Sequence, residues 1–174
     1  VKIVKRKGLS QEEKIRAMNR IIVFLTFVVF IAFGCNRGRI FEKNVKFSDR
    51  IWNKDSAAVF DFEITDINSD YKFYFNLRNT ILYPYQNIYL SYSLEDTLGN
   101  VYDSDLTNIN LFDSKTGKPF GNGMGDIFDH QYLVIEDYQF NNPGLYQFRI
   151  KHYMRMDSLP EIMSVGLRVE RSMS

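Results

Sequence analysis

The sequence predicts an all-β protein, an antiparallel β-sandwich of Ig-like or jelly-roll-like type, preceded by an N-terminal signal-peptide helix. Three observations carry that expectation. After Cys35 the apolar residues recur with period two, and no stretch holds a helical repeat, which is the pattern of strands that bury one face. Between the alternating runs stand clusters of Gly, Pro, Asn and Asp, the residues that reverse an extended chain. Aromatic residues make up 16% of the chain, enough to fill the space between two sheets without disulfides.

The first element is an export signal. Residues Ile21 to Gly34 form an unbroken apolar run, shorter than the ~20 residues that a membrane-spanning helix needs. Lys2, Lys5, Arg6, Lys7, Lys14, Arg16 and Arg20 precede it, and Cys35 ends it, the order of a secretory signal. Ala32 stands three residues before the cysteine, where a lipoprotein signal usually has Leu, and Gly34 supplies the small residue directly before it. Residues 1–34 are thus read as lead and lipoprotein signal, with cleavage before Cys35 and a covalent lipid on its sulfur, the sole cofactor-like group expected. The chain opens on Val1, and Met18-Asn19-Arg20 would begin a more compact signal, so residues 1–17 are read as the product of an upstream start. Within them Ser10 and Glu13 have the spacing of a capping box.

Residues 35–50, polar and weakly patterned, are read as lipidated cysteine and tether, and residues 51–172 as the sandwich domain. From Cys35 onward the chain carries fifteen basic and nineteen acidic residues, a net charge of −4. No concentrated positive face follows, which excludes nucleic acid as a partner. Some 140 residues make one domain. The strands then read in order. Phe60, Phe62 and Ile64 alternate with Asp61, Glu63 and Thr65; Tyr71, Phe73, Phe75 and Leu77 follow with the same period, then Ile88, Leu90, Tyr92 and Leu94. Tyr146, Phe148, Ile150, His152 and Met154 form the next run, and Val165, Leu167 and Val169 the last.

Groups able to do chemistry are sparse. His130 and His152 cannot build a metal centre with each other at a familiar spacing, so no metal site is expected, and His152 falls on an inward face. Ser91, Ser93 and Ser104 lack an activating motif, and pairs such as Glu95-Asp96, Asp103 with Asp105, and Glu136-Asp137 sit where turns and solvent-facing positions ordinarily carry carboxylates. No catalytic residue is assigned, and the protein is expected not to be an enzyme. Asp66 to Asp70 opens like a calcium loop but has Tyr71 and Leu77 where Gly and Glu belong, so it reads as a hairpin turn. Gly121, Gly123, Gly125 and Asp126 form a glycine loop without the Lys-Ser/Thr of a phosphate cradle. Its glycines suit positive φ in a tight connection, and the loop is a candidate partner-binding surface. Tyr83, Tyr85 and Tyr89 leave a second possibility open, a row of rings stacking on sugar. A flat platform of the three would favour sugar; buried tyrosines beside an accessible edge strand would favour a protein partner.

Several segments taken together resemble one family. Trp52-Asn53-Lys54-Asp55, Phe75-Asn76-Leu77-Arg78-Asn79, Tyr83 to Leu90, the loop ending Gly125-Asp126, Pro143 to Phe148, Met154-Arg155 and Val165 to Glu170 occur in the order seen in the gliding-motility lipoprotein family GldH of the Bacteroidota. The resemblance runs from about Cys35 to Glu170. It implies a non-enzymatic lipoprotein of the cell envelope, with other gliding-motility or type IX secretion envelope proteins as partners. Asn36-Arg37-Gly38-Arg39 lacks the acidic run that would suggest export to the outer surface, so the chain is read as lipid-anchored to the outer membrane and facing the periplasm. The only site it carries over is Cys35, as the lipid-bearing residue.

Overall fold

The computed structural model describes residues 38–172. The signal segment, its cleavage point and Cys35 lie outside the described residues. In chain order the strands are β1 (Arg39–Lys46), β2 (Ile51–Asn53), β3 (Ala58–Ile64), β4 (Tyr71–Thr80), β5 (Asn87–Asp96), β6 (Val101–Asn110), β7 (Asn122–Met124), β8 (Ile127–Tyr138), β9 (Gly144–His152), β10 (Ser158–Pro160) and β11 (Ile162–Arg171). They pair antiparallel in a larger sheet ordered β1-β11-β4-β8-β7, a smaller sheet ordered β3-β9-β5-β6, and a two-stranded ribbon of β2 with β10. Setting aside the three-residue strands, every successive pair except the β5–β6 hairpin switches sheets, the order of a jelly roll, one of the two sandwich types expected.

The alternation seen in sequence becomes the core directly. Phe73, Phe75 and Leu77 of β4 lie in register with Val169, Leu167 and Val165 of β11. In the smaller sheet Phe60, Phe148 and Leu94 share one row and Ala58, Ile150 and Tyr92 the next. All of these are buried. Rings from the two sheets interlock in the middle: Phe73 stacks on Phe148 at 5.5 Å between centroids, and Phe75 meets Tyr92 edge-on at 6.0 Å. Edge-on and offset aromatic pairs of this kind add about 0.5–1.5 kcal/mol each beyond area burial.

A second aromatic group closes the end at which β4 begins. Phe140 packs on Tyr71, Tyr138 and Tyr146 at 5.4, 4.8 and 4.5 Å. At the opposite end the β2–β10 ribbon brings Trp52 opposite Leu159, both fully buried. The indole stacks on Phe47 at 4.9 Å and donates its Nε1–H to the Ser56 carbonyl at 2.7 Å, so its polar atom stays paired inside an apolar lid.

Two connections differ from expectation. Strand β1 occupies most of the stretch read as a tether, because Arg39 to Lys46 pair along β11 and Phe41 packs against Phe60 and Phe62. The Asp66–Asp70 segment is not a hairpin: β3 and β4 belong to different sheets, so it is a crossover. Its Asp66 carboxylate accepts from the Asn68 amide at 2.9 Å and the Ser69 hydroxyl at 2.8 Å, an Asx turn that bends the chain between layers.

Candidate functional site

The tyrosine segment that follows β4 separates into a buried and an exposed part. Tyr83 is buried, stacked on Phe112, with its hydroxyl donating to the Asn87 carbonyl at 3.1 Å. Burial pushes that phenol well above its ordinary pKa, so it stays neutral. Tyr85 and Tyr89 remain more than a third exposed. The three therefore make no single platform.

Tyr85 and Tyr89 instead line a groove of about 620 Å³ with partners from elsewhere in the chain: Leu106 of β6 and the segment Tyr153 to Met156 that leaves β9. Local bonds fix its shape. The Tyr153 amide donates to the Tyr89 carbonyl at 2.7 Å, and the Tyr85 hydroxyl donates to the Met156 sulfur at 3.1 Å. The Tyr89 amide reaches the Met154 sulfur at 3.4 Å. The period-two pattern runs on to Met154, but the strand stops at His152, and the chain past it turns its side chains into the groove wall. Sequence reasoning missed Leu106 and Tyr153 as site residues. The signal that could have found them is the Tyr153 to Met156 run of large side chains just past a paired strand.

Beside the groove lies an unusual strand edge. β6 ends the smaller sheet and has no further neighbour among the described residues. Its register puts Asp103, Asp105 and Thr107 opposite Leu94, Tyr92 and Leu90, on the side facing the layer between the sheets, while Leu106 is opposite Ser91 on the outer side. Tyr92 donates its hydroxyl to the Asp103 carboxylate at 3.2 Å. Desolvation, reinforced by Asp103, raises the Tyr92 phenol far above its usual pKa and keeps this proton in place.

The glycine loop has a steric explanation at two of its three glycines. A Cβ on Gly121 would lie 2.7 Å from the Asp129 carbonyl and from the His130 ring, and one on Gly123 would run into the Phe128 ring and lie 2.7 Å from the Ile127 carbonyl. Only Gly125 has positive φ, at 67°, in the two-residue turn joining β7 to β8. Asp126 takes part through its backbone, its carbonyl accepting from the Ile81 amide at 2.8 Å. Met124 stands at the tip almost fully exposed.

Several other polar groups make structural contacts, while the Asn79 Oδ1 and three ring nitrogens of His130 and His152 are buried without a partner. Arg78 holds Asp129 with two hydrogen bonds of 2.6 and 2.8 Å on the outer face of the larger sheet, where Gln131, Asn76 and Glu42 form a hydrogen-bonded row. His152 is buried edge-on against Trp52 at 5.4 Å, with neither ring nitrogen paired, and His130 is buried with Nδ1 against the Tyr132 hydroxyl at 3.2 Å. Desolvation holds both imidazoles below their ordinary pKa, so they sit neutral in the core. Among the described residues no three His, Cys, Asp or Glu side chains come together as metal ligands. No helix among them is long and apolar enough to cross a membrane.

Comparison with known proteins adds a family. A model described as GldH lipoprotein matches residues 39–169. A protein named gliding motility lipoprotein GldH from Flavobacterium johnsoniae is 28% identical over 158 residues, which cover 84% of this chain and 94% of that protein. A GldH homolog from Christiangramia forsetii is 26% identical over 168 residues, covering 90% of this chain and 98% of its own length. Among solved structures, the VP2 subviral particle of infectious bursal disease virus superimposes with a TM-score of 0.39 at 11% identity, covering 78% of this chain and 33% of that one.

Proposed function

The chain belongs to the GldH lipoprotein family, and on that premise we propose that it is a lipid-anchored assembly component of the gliding machinery, linked to type IX secretion, which works by binding other envelope proteins and catalyses nothing. The observation that carries this reading is the half-exposed groove of Tyr85, Tyr89 and Tyr153 running up to the free edge of β6. An aromatic groove beside an unpaired strand is a recurring way of gripping a protein segment. The burial of Tyr83 removes one ring from the sugar platform considered above, so the carbohydrate reading takes second place.

In this reading the anchor is a diacylglyceryl group on Cys35, placed in the outer membrane with the domain in the periplasm. Two residues, Asn36 and Arg37, separate Cys35 from Gly38, so the three-residue step reaches at most about 10 Å when fully extended. Gly38 sits at the end where β4 begins and β11 finishes: its carbonyl accepts from the Arg171 amide at 2.7 Å, and Ser172 donates to the Asp70 carbonyl at 2.7 Å. A lipid on Cys35 would thus keep that end near the bilayer and present the tyrosine groove, toward the opposite end, to proteins in solution or in neighbouring assemblies.

The test is purification of the lipidated protein from native membranes with identification of what accompanies it. Gliding or secretion components of the envelope are expected to co-purify and to be lost from a strain lacking the protein, which should also stop spreading. Recovery of glycans alone, with no such components, would move the assignment to sugar binding.

A further inference from the structure

We propose that the edge of β6, together with the Tyr85–Tyr89–Tyr153 groove, receives an extended segment of a partner protein as an added strand, and that this segment carries basic residues on one face and large apolar residues on the other. The inference deepens the assembly reading above and rests on it.

The two sides of β6 differ in a way that selects such a strand. Its outer side presents Leu106, about half exposed, beside the groove, where Tyr153 is exposed to 63% and offers most of its ring to an incoming side chain. Its inner side presents Asp103 and Asp105, which form no ion pair with any Lys or Arg among the described residues. The basic residues of β9, two strands away, lie on the outer side: Arg149 in the row of Ser104, where it is bound to Glu95 at 3.2 Å, and Lys151 in the row of Leu106. A ten-residue strand whose outer edge pairs with no other strand among the described residues therefore comes with two carboxylates on one face and an apolar depression on the other; along it the Leu106 amide donates to the Asp105 carboxylate and the Asn110 carbonyl accepts from the Tyr132 hydroxyl.

Charge decides between occupants. In an antiparallel pair of two β6 strands centred on Ser104, Asp103 of each would face Asp105 of the other, and like charges directly opposite destabilise a ladder. A second copy of this chain is thus a poor occupant, and the aspartates act as the inward charges that keep exposed edges from self-pairing. A strand with Lys or Arg at alternate positions neutralises them instead. The opposite sign on the groove side enforces the orientation: Arg155 lines the groove and Lys151 lies in the row of Leu106 and Ser91, so a strand entered with its basic face outward meets repulsion there.

The test uses full-length lipidated protein in nanodiscs and three synthetic ten-residue peptides: one alternating Lys with Val and Tyr, the same peptide with Glu for Lys, and a scrambled version of the first. Fluorescence anisotropy is expected to show the basic peptide binding at least tenfold more tightly than the acidic one. The D103N/D105N double variant should reduce that preference to under threefold, and amide exchange in β6 should slow only with the alternating peptide. Equal binding of all three peptides, or protection of β3 or β1 in place of β6, overturns the proposal. Co-purification from cells separates its failure from that of the assembly reading. If Leu106→Glu and D103N/D105N retain every envelope partner of the wild type, the site is wrong and the assembly role stands; if the wild type has no partner, the assembly role fails as well.

Discussion

The glycine loop offers a prediction in which two physical causes give different patterns. Gly123 has no room for a side chain: a Cβ there would come within 2.5 Å of the Phe128 ring and 2.7 Å of the Ile127 carbonyl, and the second contact is backbone that cannot swing away. Gly125 has open space around it but a φ of 67°. Overpacking of the first kind costs about 1–3 kcal/mol, while an alanine forced into left-handed backbone costs about 1–2 kcal/mol. The alanine values overlap, so the discriminating substitutions are asparagine and a double mutant. Asn tolerates positive φ, so Gly125→Asn should lie within about 0.5 kcal/mol of wild type, whereas Gly123→Asn should exceed the cost of Gly123→Ala. Truncating the ring as well, in Gly123→Ala/Phe128→Ala, should recover about 0.5 kcal/mol or more of coupling. Urea unfolding followed by the emission of Trp52, the only tryptophan, measures each ΔΔG at constant m. Should Gly125→Asn destabilise by more than Gly123→Asn, or the double mutant be strictly additive, the steric account of Gly123 is wrong.

Three further outcomes follow from the same structure. Phe148→Ala, which empties the centre of the sandwich where Phe73, Phe75 and Tyr92 converge, should cost about 3–5 kcal/mol in urea denaturation, against less than about 1 kcal/mol for the exposed Leu145→Ala beside it on β9. Both buried histidines have a lowered pKa, so the unfolded chain takes up protons first as pH falls; stability should be level above about pH 6.5 and decline below it, and His152→Gln should flatten that decline in urea titrations run from pH 8 to 5. Cys35→Ser should abolish incorporation of a fatty-acid probe while leaving the unfolding midpoint of the domain unchanged, because no described strand includes that residue; equal labelling of the variant would place the anchor elsewhere.

How much of this was legible depended on where each strand sits in its sheet. The central strands β4, β5, β9 and β11 are flanked on both edges, so one face is apolar apart from polar positions such as His152 of β9, and the alternation is clean from Tyr71 to Leu77 and from Val165 to Val169. Of the edge strands, β3 was legible through Phe60, Phe62 and Ile64, but β6 and β1 were not. In β6 the inward positions hold Asp103, Asp105 and Thr107, and in β1 the inward row of Leu167 and Phe75 is completed by Lys43, so the hydrophobic period is interrupted where the sheet meets water. Strand β8 carries two register shifts against β4, around Phe73, and each shift moves the following side chains to the other face and erases a simple period.

The candidate site divides along the same line. Tyr85 and Tyr89 could be picked out from sequence because they stand in one short segment, but their depth relative to Tyr83 could not: which ring goes inward is set by packing against Phe112, 29 residues away. The glycines of residues 121–125 were visible as a loop, while the reason for two of them, close approach to Phe128 and His130, exists only once β7 lies on β8.

Composition, period and turn chemistry determined that this chain is an antiparallel sandwich with an aromatic core, net acidic after Cys35, because those properties are local or additive along the chain; its ordered motifs, read as a resemblance, pointed to the GldH family. Tertiary structure decided that the strands wind as a jelly roll, that the sheet begins at Arg39 and so leaves only three residues to the cysteine, and that Leu106 and Tyr153, 47 positions apart, share one groove. Sequence period records which face of a strand avoids water; it carries no information about which strand lies alongside, and a binding surface is made from that adjacency.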